Sequence, residues 1–380
     1  MKIVIVGAGP IGLEAAVAAR ERGHTVSLFE RGGVADSVCK WGHVRMFSPF
    51  GMNASKEAIA LLARHGGKTP GEEAILTGQQ YADDFLQPLA EELNGCVHAG
   101  AEVLAITRDQ SHKGEKIMDP ARAATPFRLL VKQQGQERVE HCAVLFDCTG
   151  VFSNPSPLGG GGIPALGEIG ARDWILYGVP EVKALRGAKV LVVGGGHSGA
   201  TVTRELSRLH GTQITWAVRK SVTEPCERIK DDPLTERESL VIEANHLARS
   251  TRLRFCPNTI VDAVERTNSG MQVVLNVEGT KETLQVDRVI AATGFRPDMN
   301  LARELQVQTC WATEGAYNLS ALLLGEAGGD CLKAPVAGVE VLAHPEPGFF
   351  TLGIKSYGRR SDFLIQTGRK QVQTVLDSLQ

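Results

Sequence analysis

The same glycine punctuation occurs twice in this chain, at residues 7–12 and again at 194–199. The first copy lies in "KIVIVGAGPIGLEAAVAARERGHTVSLFE" (2–30). A strand-length apolar run, Lys2–Val6, leads into Gly7-x-Gly9-x-x-Gly12. A helical pattern follows, with Ile11, Leu13, Ala15, Ala16 and Ala19 apolar, and Gly23 stands where a left-handed cap would end it. A second strand, Thr25–Phe29, ends on Glu30. Each part has a mechanical job. Gly7 permits the tight turn, Gly9 lets the backbone approach a pyrophosphate, and Gly12 lets helix and strand pack closely. The helix N-terminus, entered through Pro10, offers free N–H groups to phosphates. Glu30 can accept both hydroxyls of an adenosine ribose, with Arg31 beside it. Three glycines alone can mark an ordinary turn, but here strand, helix, second strand and acid are all in register with them.

The second copy, "KVLVVGGGHSGATVTRELSRLHGTQITWAVRK" (189–220), repeats the order. Strand Lys189–Val193 leads into Gly194-x-Gly196-x-x-Gly199, which encloses His197 and Ser198. A helix, Gly211 and strand Gln213–Val218 follow. This copy ends on Arg219 and Lys220 where the first has Glu30. An acid there repels a 2′-phosphate, whereas an arginine holds it by charge-assisted hydrogen bonds. The first site therefore suits FAD or NAD, and the second suits NADPH. A solvated basic strand end is the plainer alternative for Arg219 and Lys220.

Each fingerprint has a similar sequel. "AEVLAITRD", "PFRLLVKQQ" and "RVEHCAVLFDCTG" read as strands after the first. "LRFCPNTIVDAVERT", "MQVVLNVEG" and "ETLQVDRVIAATG" read as strands after the second. Both meanders finish on Thr-Gly, at Thr149-Gly150 and Thr293-Gly294. A βαβ unit with a β-meander is thus present twice. The segments Ser111–Ala124, 151–168 and 227–239 read as solvated loops, and the Gly159–Gly162 run as a hinge or an irregular linker.

These residues resemble the two-dinucleotide-binding-domain flavoproteins, the superfamily of disulfide reductases, thioredoxin reductases and class B flavin monooxygenases. "GAGPIG" with Glu30, "CTGVFSNPSPL" (148–158), "GGGHSG" with Arg219 and Lys220, and "ATGFRPD" (292–298) carry the likeness over essentially the whole chain. The closer likeness is to small bacterial monooxygenase-like and thioredoxin reductase-like FAD-NAD(P)H oxidoreductases, since "CTGVFSNPSPL" follows the ATG-x-x-S-x-P pattern. The resemblance implies an α/β fold of two Rossmann-like domains, the NADPH domain inserted into the FAD domain. Residues 1–155 would begin the FAD domain, and 156–300 would form the NADPH domain with a linker at 156–186. Residues 301–380 would return to the FAD domain and end in a flavin-facing helix. Three departures stand out. No C-x-x-C or C-x₄-C pair exists, no clear F-x-G-x-x-x-H-x-x-x-(W/Y) motif precedes the second fingerprint, and the reductases' C-terminal Gly-Asp is replaced by "GFFTLGIKSYGRRSD".

In this topology the chain after Glu30 passes along the flavin, which places the aperiodic stretch "CKWGHVRMFSPFGMNASKE" (39–57). A flavin needs a flat apolar wall and a few polar contacts. Trp41, Phe47, Pro49 and Met52 are the candidates for the wall, and Arg45, Ser48 and Asn53 for the contacts. Helices are expected over 55–67 and 77–95, the latter capped by Thr77. At the C-terminus, 348–354 reads as a strand, and Ser361-Asp362 as the cap of a helix over 363–379. Lys355, Ser356 and Tyr357 precede that helix, whose N-terminus would stabilise negative charge on reduced flavin.

A formal net charge of −2, from 41 basic and 43 acidic residues, gives no footprint for nucleic acid or a membrane surface. Apolar runs are strand-length and the chain opens on a strand, so no signal peptide is expected and the default location is cytoplasmic. The expected cofactors are FAD and NADPH, with no metal; the expected partners are a small-molecule substrate and O₂, with a homodimer also open. Three functions stay open. One is a monooxygenase that oxygenates a small nucleophile through a flavin C4a-hydroperoxide. Another is an NADPH-dependent reductase of a disulfide, quinone or other acceptor, with Cys39 and Cys226 as its thiols. The third is a non-catalytic FAD/NADP-binding redox sensor. No side chain is assigned as catalytic, because the flavin carries the chemistry. The substrate pocket is expected among residues 41–85 and 310–345.

Overall fold

Lys2–Val6 pairs in parallel with Thr25–Glu30 on one side and Val144–Asp147 on the other. Phe349–Thr351 and Val97–Ala99 flank these, giving a five-stranded parallel sheet. The central strands can sit there because they are apolar on both faces: Ile3, Val4, Ile5, Leu145 and Phe146 are all fully buried. Parallel pairing brings Gly7, Glu30, Asp147 and Thr351 out at one edge of the sheet. The computed structural model describes residues 1–325 and 338–379; Cys331 and part of the 310–345 stretch lie outside the described residues.

The chain divides into two compact units. The first comprises Met1–Gly42, Ser48–Asn154 and Arg296–Gln380, and the second His43–Phe47 and Pro155–Phe295.

In the first unit, helix Pro10–Glu21 has proline in its first turn and buries every residue from Ile11 to Ala19. It packs against the last helix, Ile365–Asp377. The meander of Ala101–Arg108, Phe127–Gln133 and Gln136–Cys142 is antiparallel. Its middle strand turns Phe127, Leu129 and Val131 onto a core shared with Val4, Phe29 and Phe349. Gln134 and Gly135 both have positive φ, 52° and 79°, which suits the two-residue hairpin between the last two strands. Helix Lys56–Arg64 is capped by Ser55, whose hydroxyl accepts the Ala58 N–H at 3.0 Å. Thr77 caps the next helix with a full capping box. That helix widens into a π-turn over Ala82–Leu86, where Gln87 N–H reaches back to the Ala82 carbonyl and Pro88 has no N–H to give.

Several expectations are corrected. "RVEHCAVLFDCTG" is two strands: Gln136–Cys142 closes the meander, and Val144–Asp147 enters the parallel sheet. Burial switches there from alternating to continuous, the mark of a change from a half-wet to a fully covered sheet. Asp287 divides "ETLQVDRVIAATG" in the same way, and Pro257-Asn258 divide "LRFCPNTIVDAVERT". Ser111–Ala124 is no purely solvated loop. It ends in a short helix, Pro120–Ala124, carrying Arg122, which is buried with Arg108 against Glu346, each 2.7 Å from the carboxylate. The 348–354 strand ends at Thr351, and Gly353, with φ 75°, turns the chain into a 3₁₀ turn, Gly353–Tyr357. Ser361-Asp362 cap nothing: the last helix starts at Ile365, and Asp362 is held by Arg360 at 2.9 and 2.5 Å.

The second unit repeats the plan. Its parallel sheet runs Arg254–Cys256, Gln213–Ala217, Lys189–Val193, Arg288–Ala291, Ile175–Tyr177. Thr259–Thr267, Gly270–Val277 and Thr280–Val286 form its meander. The 227–239 segment is not solvated throughout. Helix Thr235–Arg249 begins within it, and Asp232 and Arg237 form a buried bidentate pair, both bonds 2.7 Å. The Gly159–Gly162 run is held as a linker. Gly159 and Leu166 bridge Val261 and Ala263, and buried Glu168 accepts N–H bonds from Leu158 and Ala165 and the hydroxyl of Tyr177.

Candidate dinucleotide sites

The first unit's site grows from the glycine loop. Gly7 has φ 104°, and a Cβ there would meet the Cys148 carbonyl oxygen at 2.6 Å. A Cβ at Gly12 would run into the Gly7 carbonyl. Gly9 differs: a Cβ there would meet nothing within 4 Å, so the loop is open on that side. Helix Pro10–Glu21 starts at Gly9 with no side-chain cap, which leaves its first N–H groups for a ligand. Loop and helix end therefore fit a pyrophosphate. Glu30 uses one lone pair of each oxygen on the protein, accepting Ala8 N–H at 2.9 Å and Gly32 N–H at 2.8 Å. A carboxylate has about four acceptor positions, so about two remain for ribose hydroxyls. Arg31 follows, exposed.

The C-terminal turn and last helix converge on this loop. Cβ atoms at Gly353 and Gly368 would lie 3.1 and 2.5 Å from the Ile11 side chain, so glycine at both places permits the approach. The N-cap of the last helix, Leu364, again provides no side-chain bond. Gln371 secures the turn by accepting Gly353 N–H at 2.9 Å and donating to Ser356 Oγ at 2.9 Å. Ser356 Oγ in turn donates to the Gly353 carbonyl, and buried Tyr357 packs edge-on to Phe363. Lys355 is buried and pairs with Asp147 at 2.6 Å, and its ammonium also donates to Thr149 Oγ1 at 2.9 Å. Gly150, after Thr149, has φ 68°. Sequence reasoning missed Asp147. The signal was a lone acid closing the wholly apolar run "VLFD".

The 39–57 stretch divides. Trp41 lies against Gly78 and tilts toward Phe152, and its indole N–H is buried with no partner among the described residues. Ser48 and Asn53 hold the loop itself. Ser48 Oγ donates to Asn53 Oδ1 at 2.9 Å, and Asn53 Nδ2 donates to the Ser48 and Pro49 carbonyls. Arg45 and Phe47 group with the second unit. Arg45 pairs with Glu236 at 3.0 Å, and Phe47 packs edge-on to His197 with ring centroids 5.3 Å apart.

The second unit's loop repeats the first. A Cβ at Gly194 (φ 128°) would strike the Ala292 carbonyl, one at Gly199 the Gly194 carbonyl, and one at Gly196 nothing within 4 Å. Helix His197–Ser207, with Ser198 in its first turn, starts on Gly196 without a side-chain cap. Burial, then the Arg237 charge, lowers the pKa of His197 and favours a neutral ring at the helix entry. Arg219 and Lys220 are exposed, and their side chains find no partner among the described residues. Thr293 and Gly294 are tied to the linker: Thr293 Oγ1 donates to the Ser156 carbonyl at 2.5 Å, and Ser156 N–H to the Gly294 carbonyl at 2.9 Å.

Most of the described thiols have raised pKa values. Cys148, beside the first glycine loop, is buried, and burial pushes its pKa up. Burial raises Cys226 to about 11. Burial, with Asp83 and Asp36, raises Cys39. Cys310 is the exception: hydrogen bonds to its sulfur, first from the Thr313 backbone, lower its pKa. Among the described residues no His, Cys, Asp and Glu group is arranged to hold a metal, and no helix is long and apolar enough to cross a membrane.

Residues 1–316 match the family described as pyridine nucleotide-disulphide oxidoreductase. Solved structures share the fold. Bacillithiol disulfide reductase Bdr (YpdA) from Bacillus cereus is 18% identical, with TM-score 0.75 over 100% of this chain and 99% of its own. The ornithine N-hydroxylase of Kutzneria sp. 744 is 15% identical, with TM-score 0.66 over 99% and 98%. Thioredoxin reductase of T. acidophilum is 15% identical, with TM-score 0.64 over 100% and 98%. The family's enzymes depend on FAD and NAD(P)H, and both glycine loops fit dinucleotides. The chain is a member of the pyridine nucleotide-disulphide oxidoreductase family.

Proposed function

We propose that this chain is a monooxygenase-like, NADPH-dependent FAD enzyme that oxygenates a small nucleophilic substrate at nitrogen, sulfur or a carbonyl. In balance, NADPH, H⁺, O₂ and substrate give NADP⁺, water and oxygenated substrate. Bound FAD supplies the two-electron chemistry between nicotinamide and oxygen. The chain's residues bind and orient. The Gly7–Gly12 loop and its helix N-terminus hold the FAD pyrophosphate, and Glu30 holds the ribose. Gly194–Gly199 does the same for NADPH, with Arg219 and Lys220 on the 2′-phosphate. Trp41 and Pro49 wall the flavin and exclude water.

The observation that carries this reading over a disulfide reductase is the state of the thiols. A reductase needs a thiolate to pass electrons to a disulfide. Cys148, the cysteine beside the FAD loop, is buried and held as a thiol, and Cys39 and Cys226 are also raised. Cys310 favours the second reading, a reductase, because its thiol is lowered and its loop packs on the Lys355–Arg359 turn through Arg359 N–H to Thr313 carbonyl, 2.7 Å. The test is acceptor choice. FAD-loaded protein is given NADPH with O₂ and a panel of amines and thioethers, or anaerobically with disulfides and quinones. Substrate-stimulated O₂ uptake with an oxygenated product supports the proposal. Rapid anaerobic reduction of a disulfide, lost in Cys310→Ser, replaces it with the reductase.

A further inference from the structure

Asp147, Thr149 and Lys355 close a ring at the edge where the first unit's parallel strands end. Lys355 Nζ donates to Asp147 Oδ2 at 2.6 Å and to Thr149 Oγ1 at 2.9 Å. Asp147 Oδ1 accepts the Thr149 hydroxyl at 2.7 Å and the Thr149 N–H at 3.1 Å. The Lys355 and Asp147 side chains are 2% and 1% exposed. An ammonium has three donors, and two of those of Lys355 are taken by partners among the described residues. Two other titratable groups lie near Asp147, and both are neutral: burial lowers the His344 pKa to about 4, and burial pushes the Cys148 thiol up.

A buried ion pair is expensive in desolvation, and apolar residues of the same shape often serve stability equally well. This pair also lies where stability is already supplied. Gln371 fixes the Gly353–Tyr357 turn, and Gly353 and Gly368 seat the turn and last helix on Ile11. The turn that carries Lys355 therefore touches the FAD glycine loop, and Thr149 opens to the surface at the same edge.

We propose that Lys355 is a counter-charge for reduced FAD and that Asp147 attenuates it, so that the pair sets the reduction potential of the bound flavin. Reduction adds negative charge to the flavin, and a nearby buried cation favours the electron-rich form. The proposal rests on the family's use of FAD and holds for either acceptor class.

Wild type, Asp147→Asn, Lys355→Met and the double variant are loaded with FAD and titrated anaerobically against a reference dye, reading flavin absorbance. Asp147→Asn leaves the cation unbalanced and raises the midpoint potential. Lys355→Met leaves the carboxylate and lowers it, and the double variant falls between them. Four coincident potentials, or single variants that shift in the same direction, overturn the proposal. Should Lys355→Met not fold around its lone carboxylate, Asp147→Asn and the double variant carry the comparison, since they differ only at Lys355. The double variant must then titrate lower, and equal potentials overturn the proposal. FAD uptake by wild type is measured first. A wild type that takes up no FAD sinks the cofactor assignment and the proposal together, whereas failure of the potentials alone leaves the assignment standing.

Discussion

The carboxylate of Glu30 accepts the backbone N–H of Ala8 at 2.9 Å, tying the end of the second strand to the glycine loop. Its other oxygen accepts Gly32 N–H at 2.8 Å. Glu30 thus shapes the loop before any ligand arrives and keeps acceptor positions for ribose hydroxyls. Glu30→Ala should weaken FAD binding by about 1.5–3 kcal/mol, the range for hydrogen bonds to a charged group. It should also lower the melting temperature of the FAD-free protein, because Ala8 and Gly32 lose their acceptor. Fluorescence titration with FAD and a thermal melt of the apoprotein read the two effects separately. Unchanged FAD affinity would remove Glu30 from the ribose site.

Glu346 should act on stability alone. Arg108 and Arg122 converge on it, and Gln306 N–H donates to it at 2.8 Å. Burial alone raises its pKa, but hydrogen bonds from Arg122, Gln306 and Arg108 outweigh burial and leave the pKa lowered. A carboxyl lowered on folding contributes stability that is fully present above its unfolded pKa, about 4.3, and is lost as pH falls through the lower folded value. Glu346→Gln leaves two buried guanidinium groups without their anion and should cost about 3–5 kcal/mol. The gap in melting temperature between wild type and variant should be steady near neutral pH and narrow below about pH 4. A gap that widens in acid would contradict this account.

Arg219 and Lys220 are exposed and have no side-chain partner among the described residues, so replacing them should change recognition and leave the fold alone. Arg219→Ala with Lys220→Ala should raise the KM for NADPH at least tenfold, as expected when charge-assisted bonds to a phosphate are removed, and leave that for NADH within about twofold. Steady-state kinetics with both coenzymes read this. Wild-type preference for NADH would show that the basic pair is a solvated strand end.

Legibility followed locality. Both glycine loops could be read because turn, helix and strand are set by neighbouring residues: Gly7, Gly12, Gly194 and Gly199 stand where a Cβ would strike backbone a few residues away or on the adjacent strand. What stayed hidden depends on residues distant in sequence. Lys355 meets Asp147 across 208 positions, and Arg108 meets Glu346 across 238. No window along the chain shows such a pair. The burial of Arg122 is hidden for the same reason, since its partner Glu346 lies 224 positions on. That residues 43–47 group with the second unit is equally hidden, because an aperiodic stretch carries no sign of where it leaves one unit for another. Ser361-Asp362 looked like a cap because only a structure reveals that Arg360 already holds the aspartate.

The thiols offer a test between the two acceptor classes. Cys39 is the most accessible of the thiols whose pKa is raised, and burial, Asp83 and Asp36 all disfavour its thiolate. Cys226 is buried and its pKa is raised to about 11; its thiol donates to the Gly195 carbonyl at 3.9 Å, and its backbone N–H donates to Asn245 Oδ1 at 3.1 Å. Attack on a disulfide runs through thiolate, whose share at neutral pH falls tenfold for each unit the pKa rises. Cys39→Ser and Cys226→Ser should therefore leave NADPH oxidation and O₂ uptake within about twofold of wild type. Cys310→Ser is the informative variant. Its thiol is lowered by hydrogen bonds from the Thr313 backbone foremost, and its loop reaches the Lys355–Arg359 turn. In a monooxygenase the change should leave substrate oxygenation intact, because no thiol takes part in that balance. In a reductase it should abolish disulfide turnover while anaerobic flavin reduction by NADPH, followed by stopped flow, continues at the wild-type rate. Loss of disulfide turnover with preserved flavin reduction in Cys310→Ser would overturn the oxygenase reading and name the thiol that replaces it.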